Sequence, residues 1–129
     1  MIKALHIENE PRNIELLETM IQQHWADDVT LIGNAKNIPD AIKLINRVKP
    51  DLVYLDIELN KGNAFELLEQ LADINFQVIF INAYNEYAVK EFRHNAVDYL
   101  FKPIIIAELK ESSTKFFEKI NSLTVNTDI

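Results

Sequence analysis

Cysteine is missing from all 129 residues, which removes disulfide frameworks and thiol chemistry and suits a reducing compartment. Glycine is nearly as scarce: only Gly33 and Gly62 occur, too few to write a GxxxxGK phosphate loop or a GxGxxG dinucleotide turn anywhere in the chain. No apolar run approaches the roughly 18–20 residues that span a bilayer, and the first ten residues, MIKALHIENE, hold too short an apolar stretch for a secretory signal. Positive charge is also in short supply. Thirteen Lys and Arg stand against 20 Asp and Glu, for a formal charge of −7 and a pI near 4.9, and the basic residues are scattered. Binding to nucleic acid draws on clustered Lys and Arg that release counterions, so direct nucleic-acid binding is not expected. These absences describe a soluble, cytoplasmic chain with no membrane contact.

What is present is alternation. Strand-like runs at Lys3–Glu8, Val29–Ala35, Asp51–Asp56, Gln77–Asn82 and Ala96–Phe101 are separated by amphipathic stretches. That pattern predicts an α/β domain, a parallel sheet with helices on both faces. Leu52–Leu55 and Val78–Ile81 are continuously apolar, as befits central strands covered on both sides. Helices are expected over 12–24, with Pro11 near the first turn, 38–48, 63–72, 85–94 and 106–120. Ser112, Ser113 and Thr114 lower the propensity of the last one. From Asn121 the chain is polar, and a single domain over 1–122 with a flexible tail over 123–129 is the expected organisation.

In open α/β sheets ligands bind outside the carboxyl ends of the strands. Reading those ends in turn gives Glu8-Asn9-Glu10, Asp56-Ile57-Glu58, Asn82-Ala83 and Lys102-Pro103. Acids, an amide and a lysine converge, the layout of a site for phosphate and a divalent cation. Taken alone, Asp56 is an ordinary solvent-facing acid at a strand end and Lys102 an ordinary surface lysine. Their occurrence together with Glu8 favours the functional reading.

Over residues 2–120 the chain resembles the receiver domains of two-component response regulators. The stretch Asn82-Ala83-Tyr84-Asn85-Glu86-Tyr87-Ala88-Val89-Lys90-Glu91-Phe92, continuing through Asn95-Ala96-Val97-Asp98-Tyr99-Leu100-Phe101-Lys102-Pro103, is similar to receivers that precede LytTR-type (LytR/AlgR) DNA-binding domains. The resemblance implies a flavodoxin-like (βα)5 fold with strand order 2-1-3-4-5. It implies that Asp56 accepts a phosphoryl group from a sensor histidine kinase, that Lys102 pairs with the acceptor and then with phosphate, and that Mg²⁺ is held by Glu8, Asn9, Asp56 and the backbone carbonyl of Glu58. Asn82 and Tyr99 take the switch positions, and the Lys102–Pro103 bond is expected to be cis. The output surface would comprise the fourth helix, fifth strand and fifth helix, which is also the expected homodimer face. Such a domain is a signalling component whose chemistry is confined to its own phosphorylation and dephosphorylation.

Three departures from the family pattern bear on function. Glu8 and Asn9 stand where the family has two aspartates; an amide oxygen can ligate Mg²⁺ but brings no charge, so weaker metal binding is expected. Asn82 replaces a hydroxyl residue: its amide can donate the same bond, but the side chain is larger. After Asp56 the family's Pro-Gly pair is absent, and a shifted loop over 59–64 with Gly62 as its turn residue is expected. Asn9 and Asn82 also motivate an alternative, a degenerate receiver that pairs with partners regardless of phosphate.

Other readings are weaker. A haloacid-dehalogenase-like phosphatase would need Asp where Glu58 stands, and a flavodoxin-like FMN carrier would need a hydroxyl- and glycine-rich loop that is absent. His6, His24 and His94 lack metal-ligand spacing, and Trp25 reads as packing. Tyr84, Tyr87 and Phe92 read as core and partner surface rather than base-stacking aromatics.

Overall fold

In the computed structural model, which describes the backbone of residues 1–83 and 96–127 and side chains as far as residue 122, the expected alternation is realised. The chain runs β1 (Ile2–Ile7), α1 (Pro11–Trp25), β2 (Val29–Ala35), α2 (Ile38–Val48) and β3 (Leu52–Asp56). After a short antiparallel ribbon (Glu58–Leu59 with Gly62–Asn63) come α3 (Ala64–Gln70), β4 (Gln77–Asn82), β5 (Asp98–Phe101) and a C-terminal helix (Ile106–Thr127). The helix expected over 85–94, with Tyr84, Tyr87, Phe92 and His94, lies outside the described residues.

The five longer strands pair in parallel in the order β2-β1-β3-β4-β5. Alternation along the strands splits the interior in two. Leu5, Ile7, Val53, Leu55, Val78 and Phe80 face α2 and α3, meeting Ala41, Ile45 and Leu67. Ala4, Leu52, Tyr54, Ile79 and Ile81 face the other way and pack with Leu17 and Ile21 of α1 and Leu109 and Phe116 of the C-terminal helix. Both faces of β3 are therefore buried, which accounts for its unbroken apolar run. Trp25 and Phe117 complete the second core from its margin, so the packing role expected for Trp25 is observed.

Several details differ from the sequence reading. The last helix continues to Thr127 instead of ending at 120, because 121–127 contains no Gly or Pro to stop it. By contrast α3 ends at Gln70, its cap Leu71 already extended at φ −85° and ψ 132°. In the loop after Asp56 the left-handed residue is Lys61, with φ 61°, and not Gly62. Gly62 serves close approach instead: a Cβ there would lie 2.6 Å from Ile38 Cδ1 and 2.9 Å from Glu66 Oε2. The Lys102–Pro103 peptide is cis, as expected.

Candidate functional site

At the carboxyl edge of the sheet, β1, β3 and β5 end side by side with β4, and their last residues meet. Asp56 terminates β3 and is buried; its backbone lies in register with Ile81 of β4. Lys102 follows β5 directly, its backbone N–H donating to the carbonyl of Asn82 at 2.9 Å. That bond fixes where the lysine stem starts. Its Nζ then donates to Asp56 Oδ2 at 3.0 Å and lies 3.0 Å from Glu8 Oε1, so one ammonium bridges two carboxylates from different strands.

Glu8 is fully buried just past β1. Its backbone N–H donates to the Ala35 carbonyl at 2.9 Å, extending the β1–β2 ladder by one bond. Its side chain folds back on the following turn, where Oε2 accepts from the backbone N–H groups of Asn9 at 3.0 Å and Glu10 at 3.2 Å. Glu8 is thus held by both ends: one oxygen by its own turn, the other by Lys102.

These surroundings push the two acids apart. Burial, and then the charge of Glu8, drive the Asp56 carboxyl up to about 7 against the pull of Lys102. Burial would raise Glu8 too, but its hydrogen bonds with Asp56 and Lys102, the lysine charge and the Glu10 N–H outweigh that and hold it below the usual carboxylate range. Like charges this close oppose each other's ionisation, which raises the Asp56 carboxyl while Glu8 stays the stronger acid of the pair. Burial opposes the Lys102 charge, but the two acids prevail and raise its pKa.

The other residues named from sequence occupy the rim or the adjoining strands. Asn9 is exposed and joins the cluster through its backbone N–H; Glu58 is exposed in the ribbon, paired with Asn63. Asn82 is buried at the end of β4 and in register with Phe101. Tyr99 is half-buried, its ring stacked on Phe80 with centroids 5.5 Å apart. His6 lies beneath α1, 2% exposed, edge-on to Tyr54 at 6.4 Å, and neither ring nitrogen has a hydrogen-bond partner among the described residues. Burial takes its pKa down to about 4.

Two polar residues escaped the sequence reading. Ser112, noted only as a weak helix former, is fully buried and donates to Asp98 Oδ2 at 2.6 Å, while Lys115 reaches Asp98 Oδ1 at 3.2 Å, tying the C-terminal helix to β5. Asn34 donates from Nδ2 to the carbonyls of His6 at 2.9 Å and Glu8 at 3.0 Å, spanning from β2 to the end of β1. A polar residue near a strand end carries no signal of that kind.

The structure thus joins two acids and a lysine at the carboxyl edge of a doubly wound parallel sheet, where open α/β domains place their ligand sites. Residues 4–114 match the family of response regulator receiver domains, and the chain belongs to that family. The transcriptional regulatory protein BtsR of Escherichia coli is 32% identical over 113 residues, 87% of this chain and 46% of that protein. A response regulatory protein of Vibrio cholerae is 37% identical over 105 residues, covering 81% and 44%. The chain thus spans less than half the length of these relatives. Among solved structures, the receiver domain of AraT, a response regulator of Geobacillus stearothermophilus, superposes with a TM-score of 0.83 at 23% identity, covering 95% of this chain and 98% of that one, which shows the shared fold. The chain is therefore a response regulator receiver domain, a signalling domain. Among the described residues no helix is long and apolar enough to cross a membrane.

Proposed function

We propose that this receiver accepts a phosphoryl group on Asp56 from a sensor histidine kinase and acts as a switch on transcription, its output a LytTR-type DNA-binding domain. The observation that carries the reading is the buried Glu8–Lys102–Asp56 bridge at the carboxyl edge of the sheet. In the transfer, an ionised oxygen of Asp56 attacks the phosphorus of a phosphohistidine. The new O–P bond forms as the N–P bond breaks, the imidazole nitrogen keeps the bonding pair and takes up a proton, and Asp56 becomes an acyl phosphate. Lys102 stands 3.0 Å from the acceptor oxygen, placed to pair with the incoming phosphoryl charge. Asn82, with an amide that can donate to a phosphate oxygen, and Tyr99 on β5 are the residues that would pass the change on to the fourth helix, β5 and the C-terminal helix, which serve as output and homodimer face.

The donor set consists of hard oxygens, which suits Mg²⁺: the carboxylates of Glu8 and Asp56, the amide oxygen of Asn9 and the carbonyl of Glu58. The ion supplies charge neutralisation on the phosphoryl oxygens. With one carboxylate fewer than the family pattern, the binding is weak.

A degenerate receiver, pairing with partners regardless of phosphate, is favoured by one observation: both Glu8 oxygens are already engaged, and Asn9 beside it is exposed and uncharged. Intact-mass measurement after incubation with Mg²⁺ and a small acyl-phosphate donor separates the two. A single phosphate adduct on the natural chain, absent in Asp56→Asn, is the expected result. No adduct at any Mg²⁺ concentration, with Asn9→Asp restoring it, would establish the degenerate reading and place the fault in the metal site.

A further inference from the structure

We infer that Asn34 is a positioning residue for Glu8, aimed at the site by a β-bulge at Ile32. The register of β1 and β2 runs Ile2↔Val29, Lys3↔Thr30 and Ala4↔Leu31, then jumps to Leu5↔Gly33, His6↔Asn34 and Ile7↔Ala35, so that Ile32 has no opposite number on β1. Side chains alternate along a strand and paired residues share a face. Without the extra residue Asn34 would pair with Ile7 and point into the apolar core against α2; with it, Asn34 stands opposite His6 on the other face. The surrounding residues follow the same shift: a Cβ on Gly33 would meet Leu44 of α2 at 3.3 Å, and Ala35 packs in the α2–α3 core. Ile32, the inserted residue, is left 45% exposed. Bulges re-aim side chains in this way at the margins of functional sites.

From that position the Asn34 amide bridges two carbonyls, of His6 at 2.9 Å and Glu8 at 3.0 Å, with a third, longer contact to the Ala35 carbonyl at 3.4 Å. Both polar groups of the Glu8 main chain are therefore tied to β2: its carbonyl to the Asn34 side chain, its N–H to the Ala35 carbonyl at 2.9 Å. This fixes the turn whose Asn9 and Glu10 N–H groups hold Glu8 Oε2, and so sets the reach of Oε1 to Lys102. Asn34 touches neither acceptor nor lysine; it acts through Glu8. What Glu8 is positioned for rests on the phospho-acceptor reading.

The test compares the full chain with Asn34→Ala, which removes the amide, and Asn34→Gln, which keeps it on a longer stem. The readouts are the ¹H–¹⁵N signals of the Asn9 and Glu10 amides and of the Lys102 ammonium, together with a Mg²⁺ titration. In Asn34→Ala all three signals are expected to move and Mg²⁺ binding to weaken about tenfold, the loss typical of removing an outer-shell partner of a ligand; Asn34→Gln is expected to recover both. Signals of Asn9, Glu10 and Lys102 that stay unmoved in Asn34→Ala would overturn the inference, as would unchanged Mg²⁺ affinity in a natural chain that binds the ion. A natural chain that binds no Mg²⁺ would sink the metal-assisted phosphorylation, and Asn34 would then be judged on the amide and ammonium signals, which need no ion.

Discussion

Asp56 and His6 titrate in the folded protein with opposite consequences. Asp56 is pushed up to about 7 from an ordinary 3.8, so between those values the folded state holds a proton that the unfolded chain has lost, and stability falls as pH rises. His6 is taken down from 6.5 to about 4, so over that window the unfolded chain holds the extra proton and stability rises with pH. Each contributes a slope of about 1.4 kcal/mol per pH unit. Between roughly pH 4.5 and 6.5 they cancel, while Glu8, held below its usual range, acts lower down. Urea denaturation of the natural chain should therefore give nearly constant stability across that window. Asp56→Asn should become more stable as pH rises, and His6→Leu less stable. Parallel slopes in the two variants would refute the opposed titrations. The acids and lysine of this cluster were legible in the sequence because strand ends are where an α/β sheet places its chemistry. The protonation pattern was not, since it depends on Glu8 folding back on its own turn, and no residue spacing specifies that.

The helices end by different devices, and their chemistry permits a sharper test. At α2, Asn37 caps the first turn by accepting from the Asp40 N–H at 2.9 Å, and its Nδ2 donates to Asp40 Oδ2 at 3.0 Å. Asn63 does the same for α3, accepting from the N–H groups of Phe65 and Glu66. The other end of α2 is less favourable. Lys49 adopts a left-handed conformation, φ 53° and ψ 68°, while its N–H still donates to the Ile45 carbonyl at 2.9 Å. A residue with a Cβ is strained there and glycine is not. Lys49→Gly is accordingly expected to stabilise the chain by about 0.5–1 kcal/mol in denaturant titrations, with the phosphate adduct unchanged; a loss of stability would mean that the lysine side chain outweighs the strain. Periodicity gave α2 its observed bounds because Ile38, Ala41 and Ile45 of its stripe are buried in the core; Ile42 packs only at the margin, and the buried Leu44 was missed. Periodicity also missed the bulge at Ile32, since a β-branched residue in a run of β-formers gives no sign of a one-residue slip. Gly62 misled for a related reason: glycine suggested a turn, but its need is for space beside Ile38.

At the scale of the whole molecule the sheet separates two cores yet joins them, because β3 and β4 contribute alternate residues to each. Val53, Leu55 and Phe80 belong to the α2–α3 side and Tyr54, Ile79 and Ile81 to the side of α1 and the C-terminal helix. Neither layer can lose its packing without exposing the strands of the other, which makes a single cooperative transition the expected behaviour. The architecture was readable for the same reason: strands buried on both faces give unbroken apolar runs, and helices between them leave few alternatives to a parallel sheet. Trp25 reports on one side only, at the margin of the α1 core, whereas Leu67 of α3 is fully buried on the other. Leu67→Ala should cost about 2–5 kcal/mol, the range for deleting a buried leucine side chain. If the two cores unfold as one, Trp25 fluorescence must register that loss from across the sheet, its urea midpoint moving by the same amount as that of far-ultraviolet circular dichroism. A Trp25 midpoint that stayed in place while the dichroism midpoint fell would show the layers coming apart separately, and would rule out the sheet as a rigid coupler between the Glu8–Lys102–Asp56 edge and the C-terminal helix.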